Sequence, residues 1–144
     1  MPHRPIKEVL PAHPHVCVPA ETTVREVTRQ MRETQQSGAL VSVDGRLSGI
    51  FTERDATFRV IAEGLDPDTT PVGDVCTHDA VTITEDKPFG HALHMMYEGG
   101  FRHVPVVDAD GHPVGIVTAR DALGLDALTF GEELVRREEI TVIL

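Results

Sequence analysis

Several kinds of residue are scarce in this sequence of 144 residues, and each scarcity argues against a class of protein. The two cysteines, Cys17 and Cys76, are too few for the disulfide framework of a small secreted domain, so we expect a reducing, cytoplasmic location. Lysine and arginine number 13 against 23 aspartates and glutamates, a formal net charge of −10. Phosphate backbones are bound through a surplus of basic residues, so we expect no nucleic-acid partner.

Long apolar runs are missing as well. No stretch approaches the roughly 18 apolar residues of a membrane-spanning helix, and the segment after Met1 lacks the apolar core of a signal peptide. We therefore expect no membrane association. The length suits one compact domain, which buries about 70% of its unfolded surface without help from disulfides.

Patterns typical of enzymes and metal sites are not found in the sequence. It has no Walker-type glycine-rich loop, no His-Glu-x-x-His and no Cys-x-x-Cys. His91 and His94 lie three residues apart on a predicted helix, but zinc requires further ligands. We predict no catalytic residues, no metal site and no catalytic cofactor. Cys17 and Cys76 are interpreted as small buried hydrophobic residues.

What the sequence does contain is an internal repeat. Residues 49–55, Gly-Ile-Phe-Thr-Glu-Arg-Asp, recur 66 positions later as Gly-Ile-Val-Thr-Ala-Arg-Asp at 115–121. The same offset aligns residues 39–41 with 105–107, and before Ser37 the best offset becomes 65. We interpret the chain as a tandem duplication whose insertions lie in loops.

Hydrophobic periodicity predicts the order β-α-β-β-α in both copies. The first copy is predicted to have a strand at 16–18, a helix capped by Thr22-Thr23, strands at 39–43 and 47–51 joined by Asp44-Gly45, and a helix from Asp55. The second is predicted to have a strand at 81–83, a helix from Pro88 to Gly99-Gly100, strands at 104–107 and 114–117, and a helix from Asp121.

We predict an α/β (α+β) fold in which the two repeats pack their sheets around a pseudo-two-fold axis. Three strands and two helices bury too little apolar surface alone, so one integrated unit is expected. The predicted boundaries are 6–64 for the first repeat, 65–71 for a linker, 72–125 for the second repeat and 126–144 for a C-terminal helical extension.

The repeated Thr-x-Arg-Asp motif has a clear chemistry. An aspartate at a helix start caps backbone amides, and it also accepts two hydrogen bonds from vicinal hydroxyls such as those of a ribose. An arginine beside a helix N-terminus favours a phosphate. A simpler interpretation is that Asp55 and Asp121 only cap helices, while Arg54 and Arg120 are only solvated. Two copies at equivalent positions favour binding.

The sequence resembles the cystathionine-β-synthase (CBS) domain family, in the tandem arrangement called a Bateman module. The resemblance is carried by Phe-Arg-His-Val-Pro-Val-Val-Asp at 101–108, by the two Gly-Ile-x-Thr-x-Arg-Asp segments, and by residues 38–45 and 71–76. It covers about residues 6–125. It implies a stand-alone, bacterial-type module in signal transduction and energy sensing that binds AMP, ADP or ATP as a regulatory ligand and is not an enzyme.

Carried over residue by residue, the resemblance implies two ligand sites between the repeats. One site would use Ile50, Thr52, Arg54 and Asp55, closed by Cys76, Val81, Arg102 and His103. The other would use Ile116, Thr118, Arg120 and Asp121, closed by Leu10, Val16, Ser37, Gly38 and Ala39.

The walls of the two implied sites differ in charge. Arg102 and His103 belong to the Asp55 site, whereas the Asp121 site has Ser37 and Gly38 in their place. We therefore expect the more highly phosphorylated nucleotide at the Asp55 site, and AMP or a less charged adenosine compound at the other.

The resemblance also implies a homodimer and an unidentified effector protein. Two alternatives stay open at this point. One is a sensor of S-adenosylmethionine or NAD, and the other is an interaction or structural protein whose sites are vestigial.

Overall fold

The computed structural model of the chain describes residues 3–10 and 14–123. The predicted C-terminal helix at 126–144 lies outside these residues. The first half contains α1 (Ile6–Val9), β1 (Val16–Pro19), α2 (Val24–Thr34), β2 (Gly38–Val43), β3 (Arg46–Thr52) and α3 (Glu53–Asp55), which continues into a π-helical turn at Ala56–Ile61. The second half contains a 3₁₀ turn at Val72–Asp74, β4 (Ile83–Thr84), α4 (Phe89–Gly99), β5 (His103–Val107) and β6 (Pro113–Thr118), followed by helical residues 119–123.

The two halves form two three-stranded sheets of identical topology, which confirms the predicted fold class. In each sheet the first strand runs parallel to the second, and the second pairs antiparallel with the third. The parallel step requires a crossover, which α2 and α4 supply. None of the helices among the described residues has the length and apolar character needed to cross a membrane.

Local signals in the sequence are realised at the predicted places. Asp44 and Gly45 both have positive φ, 52° and 77°, as a two-residue hairpin of the favoured twist requires. The Thr23 hydroxyl caps α2 by accepting a hydrogen bond from the Glu26 amide at 3.3 Å. Gly100, in the left-handed conformation, ends α4.

Three predicted boundaries are wrong, one of them the helix after the second motif, which begins at residue 119 and not at Asp121. The first strand of the second repeat is only Ile83–Thr84, because Val81 is exposed and pairing with β5 begins at Ile83. The helix after the motif begins before Asp55: Thr52 is its N-cap, and Asp55 is the third helical residue, which completes a capping box.

The pairing register also corrects the alignment of the two repeats. Gly38 pairs with Thr52 in the first sheet, whereas His103 pairs with Thr118 in the second. The strands β2 and β5 therefore correspond at an offset of 65, not 66, and the extra residue lies in the longer connection between β5 and β6. At this offset Leu40 in β2 holds the position equivalent to that of Pro105 in β5.

Each repeat is completed by a short segment that precedes the other. Ile6 and Val9 of α1 belong to the hydrophobic core of the second repeat, while Val72 and Val75 belong to that of the first. Backbone hydrogen bonds hold these segments, from the Ile6 amide to the Lys87 carbonyl at 3.0 Å and from the Val72 amide to the Thr22 carbonyl at 2.7 Å. The two repeats are therefore one unit, because separating them would open both cores.

The exchanged segments lie directly against the glycines that open the two motifs. A Cβ atom at Gly49 would lie 2.6 Å from the Thr77 carbonyl oxygen and 2.8 Å from Cys76 Sγ. At Gly115 the nearest atom would be Leu10 Cδ2 at 2.7 Å, the end of a flexible side chain. Both positions require glycine for close approach, but only the first meets rigid backbone.

This difference predicts unequal costs for the same substitution. Gly49→Ala should lower the free energy of unfolding by about 1–3 kcal/mol, because backbone at Thr77 must move. Gly115→Ala should cost distinctly less, because Leu10 can change rotamer, and this variant serves as the matched control. Urea denaturation measures both; equal losses would contradict the prediction.

Candidate functional site

A cleft of about 1060 Å³ opens between the two repeats. Its walls carry the threonine and arginine of both motifs, Thr52 and Arg54 from the first, Thr118 and Arg120 from the second. Because equivalent residues of both repeats line one space, the cleft straddles the pseudo-two-fold axis. Leu40, Ile50 and Ile116 form a small apolar cluster where the two sheets meet.

The cleft gathers ten of the seventeen residues for which ligand contact is predicted. They are Ser37, Ile50, Thr52, Arg54, Asp55, Val81, Arg102, His103, Thr118 and Arg120. Three of these, Ser37, Thr118 and Arg120, are predicted for the Asp121 site but line the same space as the Asp55 set. The two predicted sites are thus not fully separate.

The other seven predicted residues lie outside the lining of this cleft, and most of them have a packing role. Val16, Gly38, Ala39, Cys76 and Ile116 are buried. Leu10 covers Gly115. In the second repeat an Asp121 carboxylate oxygen accepts a hydrogen bond from the Thr118 amide at 2.8 Å, the same cap that Asp55 forms in the first.

Asp55 is the one buried charged side chain among the described residues, with 8% of its surface exposed. Its Oδ2 accepts hydrogen bonds from the Thr52 amide at 2.9 Å and from the Thr52 hydroxyl at 3.3 Å. Its Oδ1 has longer contacts, to the Thr77 hydroxyl at 3.4 Å and to Arg59 Nε at 3.5 Å. One oxygen therefore closes the helix cap, and the other is only loosely held.

The cleft lining carries four arginines against the three carboxylates of Glu53, Asp55 and Asp79, a small positive excess in a chain that is acidic overall. Arg54, Arg59, Arg102 and Arg120 all line the cleft, and each is exposed. The Arg54 guanidinium lies 5.3 Å from the centre of the Phe58 ring, a cation–π contact that orients it. Such a wall attracts a small anion, which the overall charge does not prevent.

His103 and Ser37 join the two repeats across the axis. Ser37 Oγ and His103 Nε2 are 2.7 Å apart and share a hydrogen bond. The ring packs against Gly38, where a Cβ atom would lie 3.0 Å from His103 Cδ2. Because Gly38 and His103 hold equivalent places in the two sheets, the imidazole fills the room that the glycine leaves.

Burial lowers the pKa of His103 below its ordinary value, and the Arg102 charge acts in the same direction. Glu53, Asp121 and Asp55 act in the opposite direction without reversing the shift. The shift favours the neutral form of the His103 imidazole.

Sequence reasoning missed several residues of the cleft wall. Arg59 could have been found from its spacing of four residues after Asp55 on one helix. Thr77, in contrast, stands where the first repeat has Pro11, so the repeat gave no signal for it. The further members are Glu53, Phe58, Asp79, Ala80, Gly100, Phe101, Ala119 and Leu123.

One cysteine does not match its predicted environment. Cys76 is buried as expected, but Cys17 is exposed. Residues of β1 alternate between the two faces of the sheet, and Val16 and Val18 take the inner face.

Asp108, Asp110 and His112 place their ligand atoms within 4.8 Å of one another in the β5–β6 connection. The Asp108 carboxylate already accepts the amides of Asp110 and His112 at 2.9 Å, so the group is accounted for by the loop's own hydrogen bonds.

Comparisons with known proteins agree with the fold and the repeat. The sequence matches the family model described as CBS domain twice, at residues 6–61 and 72–127. The CBS domain-containing protein CBSCBSPB1 of Arabidopsis thaliana is 43% identical over 95 residues, which are 66% of this chain and 18% of that protein. The chain therefore spans less than a fifth of that relative's length.

Two solved structures are similar and were determined with ligands. A CBS domain protein from Pyrobaculum aerophilum complexed with AMP has a TM-score of 0.74 and 27% identity, covering 88% of this chain and 99% of that one. The CBS domain pair of protein MJ0100, in complex with 5′-methylthioadenosine and S-adenosyl-L-methionine, has a TM-score of 0.74 and 26% identity, covering 89% and 99%.

The partly buried His103 predicts a pH dependence of stability. Because the pKa of His103 is lower in the folded than in the unfolded protein, the unfolded chain binds more protons below about pH 6.5. The stabilisation is full above that pH and is lost as the pH falls through the folded pKa. In urea titrations from pH 7.5 to 5, we expect wild type to lose more stability than His103→Gln. An equal loss of stability in the two proteins over this pH range would contradict the prediction.

Proposed function

We propose that this chain, which belongs to the CBS domain family, is a regulatory module that binds an adenosine compound in the cleft between its two repeats. The observation that carries the proposal is the convergence of the threonine and arginine of both Thr-x-Arg-Asp motifs on one cleft, which the buried Asp55 carboxylate also lines. Similar CBS pairs have been solved with AMP and with S-adenosylmethionine, which supports an adenosine ligand here.

The cleft offers each part of such a ligand a suitable partner. Asp55 Oδ1, which has only long contacts, accepts the ribose hydroxyls, while Oδ2 stays on the helix cap. Ile50 and Val81 provide apolar surface for the adenine. Arg54 and Arg102 supply charge-assisted hydrogen bonds to phosphate.

We propose AMP, ADP or ATP as the ligand, because the four arginines of the lining suit phosphates better than a sulfonium. Arg102 and His103 favour the more phosphorylated nucleotide on the Asp55 side, as the sequence predicts. The Asp121 side, with Ser37 and Gly38 in the equivalent places, takes AMP or a less charged compound. Binding of S-adenosylmethionine or NAD in preference to all three nucleotides would decide for the alternative sensor.

The proposed role is regulation of another protein in the cytoplasm, not catalysis, which agrees with the generally regulatory use of CBS pairs. We propose a homodimer formed through helix faces. Phe58 and Ile61 on the π-helical turn are 56% and 74% exposed, which leaves apolar surface for a protein contact. A ligand shifts such an assembly only as far as it binds its two forms differently.

Ligand identity is tested most directly by thermal unfolding with AMP, ADP, ATP, S-adenosylmethionine and NAD. A ligand at 100 times its dissociation constant should stabilise the protein by about 2.7 kcal/mol. Asp55→Asn keeps an oxygen for the cap but replaces the ligand's acceptor with a donor, so we expect roughly 10- to 100-fold weaker binding by calorimetry.

The control for this variant is Asp68→Asn, which removes an exposed carboxylate paired with Arg25 outside the cleft lining. The Asp68→Asn protein should bind each ligand with the affinity of the wild type. No stabilisation by any of the five compounds would favour a structural protein with vestigial sites instead.

The phosphate end is tested separately. Arg102→Gln should weaken ATP binding about tenfold and adenosine binding little, because Arg102 is proposed to contact only phosphate. Arg25→Gln is the matched control. Equal losses for ATP and adenosine would show that Arg102 does not recognise phosphate.

A further inference from the structure

Arg59 is a cleft residue that neither motif contains, and its guanidinium touches two elements at once. Its Nε lies 3.5 Å from Asp55 Oδ1, and its Nη1 donates a hydrogen bond to the Cys76 carbonyl at 3.0 Å. Asp55 belongs to the motif helix, whereas Cys76 belongs to the segment that enters the second repeat. Arg59 therefore ties the buried carboxylate to the segment that packs over it.

The segment that Arg59 reaches is itself fixed. The amides and carbonyls of Ile50 and Thr77 exchange two backbone hydrogen bonds, at 3.0 and 2.9 Å. The Thr77 hydroxyl then donates to Asp55 Oδ1 at 3.4 Å. Arg59 and Thr77 thus contact the same oxygen atom, Asp55 Oδ1, which takes no part in the helix cap.

The backbone around Arg59 is unusual. Residues Ala56–Ile61 form a π-helical turn, with the Ala62 amide bonded to the Thr57 carbonyl at 2.9 Å. Turns of π-helix are rare in proteins, and those that occur are often found at functional sites. This turn begins directly after Asp55 and carries Phe58 and Arg59 into the cleft wall.

We propose that Arg59 is a positioning residue of the Asp55 ligand site, which orients the carboxylate to receive the vicinal hydroxyls of the ligand. This role of Arg59 rests on the proposed function. It also distinguishes the half of the cleft that contains Asp55 from the other half. Oδ2 is held by the Thr52 amide and hydroxyl, and the longer contacts of Arg59 and Thr77 to Oδ1 favour one orientation of the carboxylate plane.

The sequence provides side chains such as those of Arg59 and Thr77 at these positions in one repeat only. At the offset of 66, Arg59 corresponds to Leu125 and Thr77 to Pro11. A leucine side chain and a proline offer no hydrogen-bond donor to a carboxylate. Arg59 and Thr77 therefore have no counterpart of the same chemistry in the sequence of the other repeat.

The role in binding is separable from a role in folding. The Arg59 side chain is half exposed, and ion pairs in such places contribute little to stability. Its hydrogen bond to the Cys76 carbonyl links segments that backbone hydrogen bonds already join. Removing the guanidinium should leave a folded protein whose carboxylate is less well oriented.

The test compares ligands with and without the hydroxyls. AMP and 2′,3′-dideoxy-AMP are titrated calorimetrically into the Asp121→Asn protein, in which ribose binding by the other aspartate is weakened, and into the same protein carrying Arg59→Leu or Arg59→Lys. We expect Arg59→Leu to weaken AMP about tenfold and the dideoxy compound less than twofold. Arg59→Lys, which keeps a cation near Oδ1, should recover part of the loss.

Arg25→Leu is the matched control, since Arg25 also joins a helix to a distant loop through an aspartate, at 2.8 Å, but lies outside the cleft lining. It should change neither affinity. Thermal unfolding checks each variant, and Thr77→Val provides the same comparison should Arg59→Leu not fold.

The outcomes separate the two proposals. Failure of the unsubstituted chain to bind any adenosine compound overturns both. Binding of AMP with no loss in Arg59→Leu, an equal loss for the two ligands, or equal affinity of the Asp121→Asn protein for both ligands, overturns the role of Arg59 and leaves the proposed function standing.

Discussion

Neither repeat of this chain can close its own core, and the exchange of short segments between them is the constraint on which the rest of the structure depends. Ile6 and Val9 fill the second core and Val72 and Val75 the first. The segment at 76–77 must then pass over the motif strand, which requires a glycine beneath it at position 49. This crossing brings Thr77 to the cleft, whose lining comes from both repeats.

The pseudo-symmetry of the cleft is broken where the two sheets meet. Gly38 and His103 hold equivalent places, and one large ring occupies room that two could not share. The burial that lowers the pKa of His103 is a consequence of this fit. The two halves are otherwise alike, and packing at the axis places a large residue on one side and a small one on the other.

Much of the fold could be predicted from the sequence because its signals are local. Asp44-Gly45 specifies its hairpin through backbone conformation alone, and Thr23 caps its helix within one turn. The offset between β2 and β5 could not be determined from the sequence. Both strands are apolar, so an offset of 65 and one of 66 each align similar residues. Thr77 and its contact with Asp55 depend on the exchange between repeats, which no local pattern encodes.

Asp55 shows why the helix-capping and ligand-binding interpretations of the motif need not compete. A carboxylate has two oxygens, and the cap uses Oδ2 with a geometry set by Thr52. Capping therefore fixes the position of Oδ2, and the direction of Oδ1 is left to be set by other contacts. Arg59 and Thr77 contact that remaining oxygen from outside the motif. The motif thus supplies the position of the ligand's acceptor, and residues beyond the motif supply its direction, so that two identical motifs yield two unequal halves of one cleft.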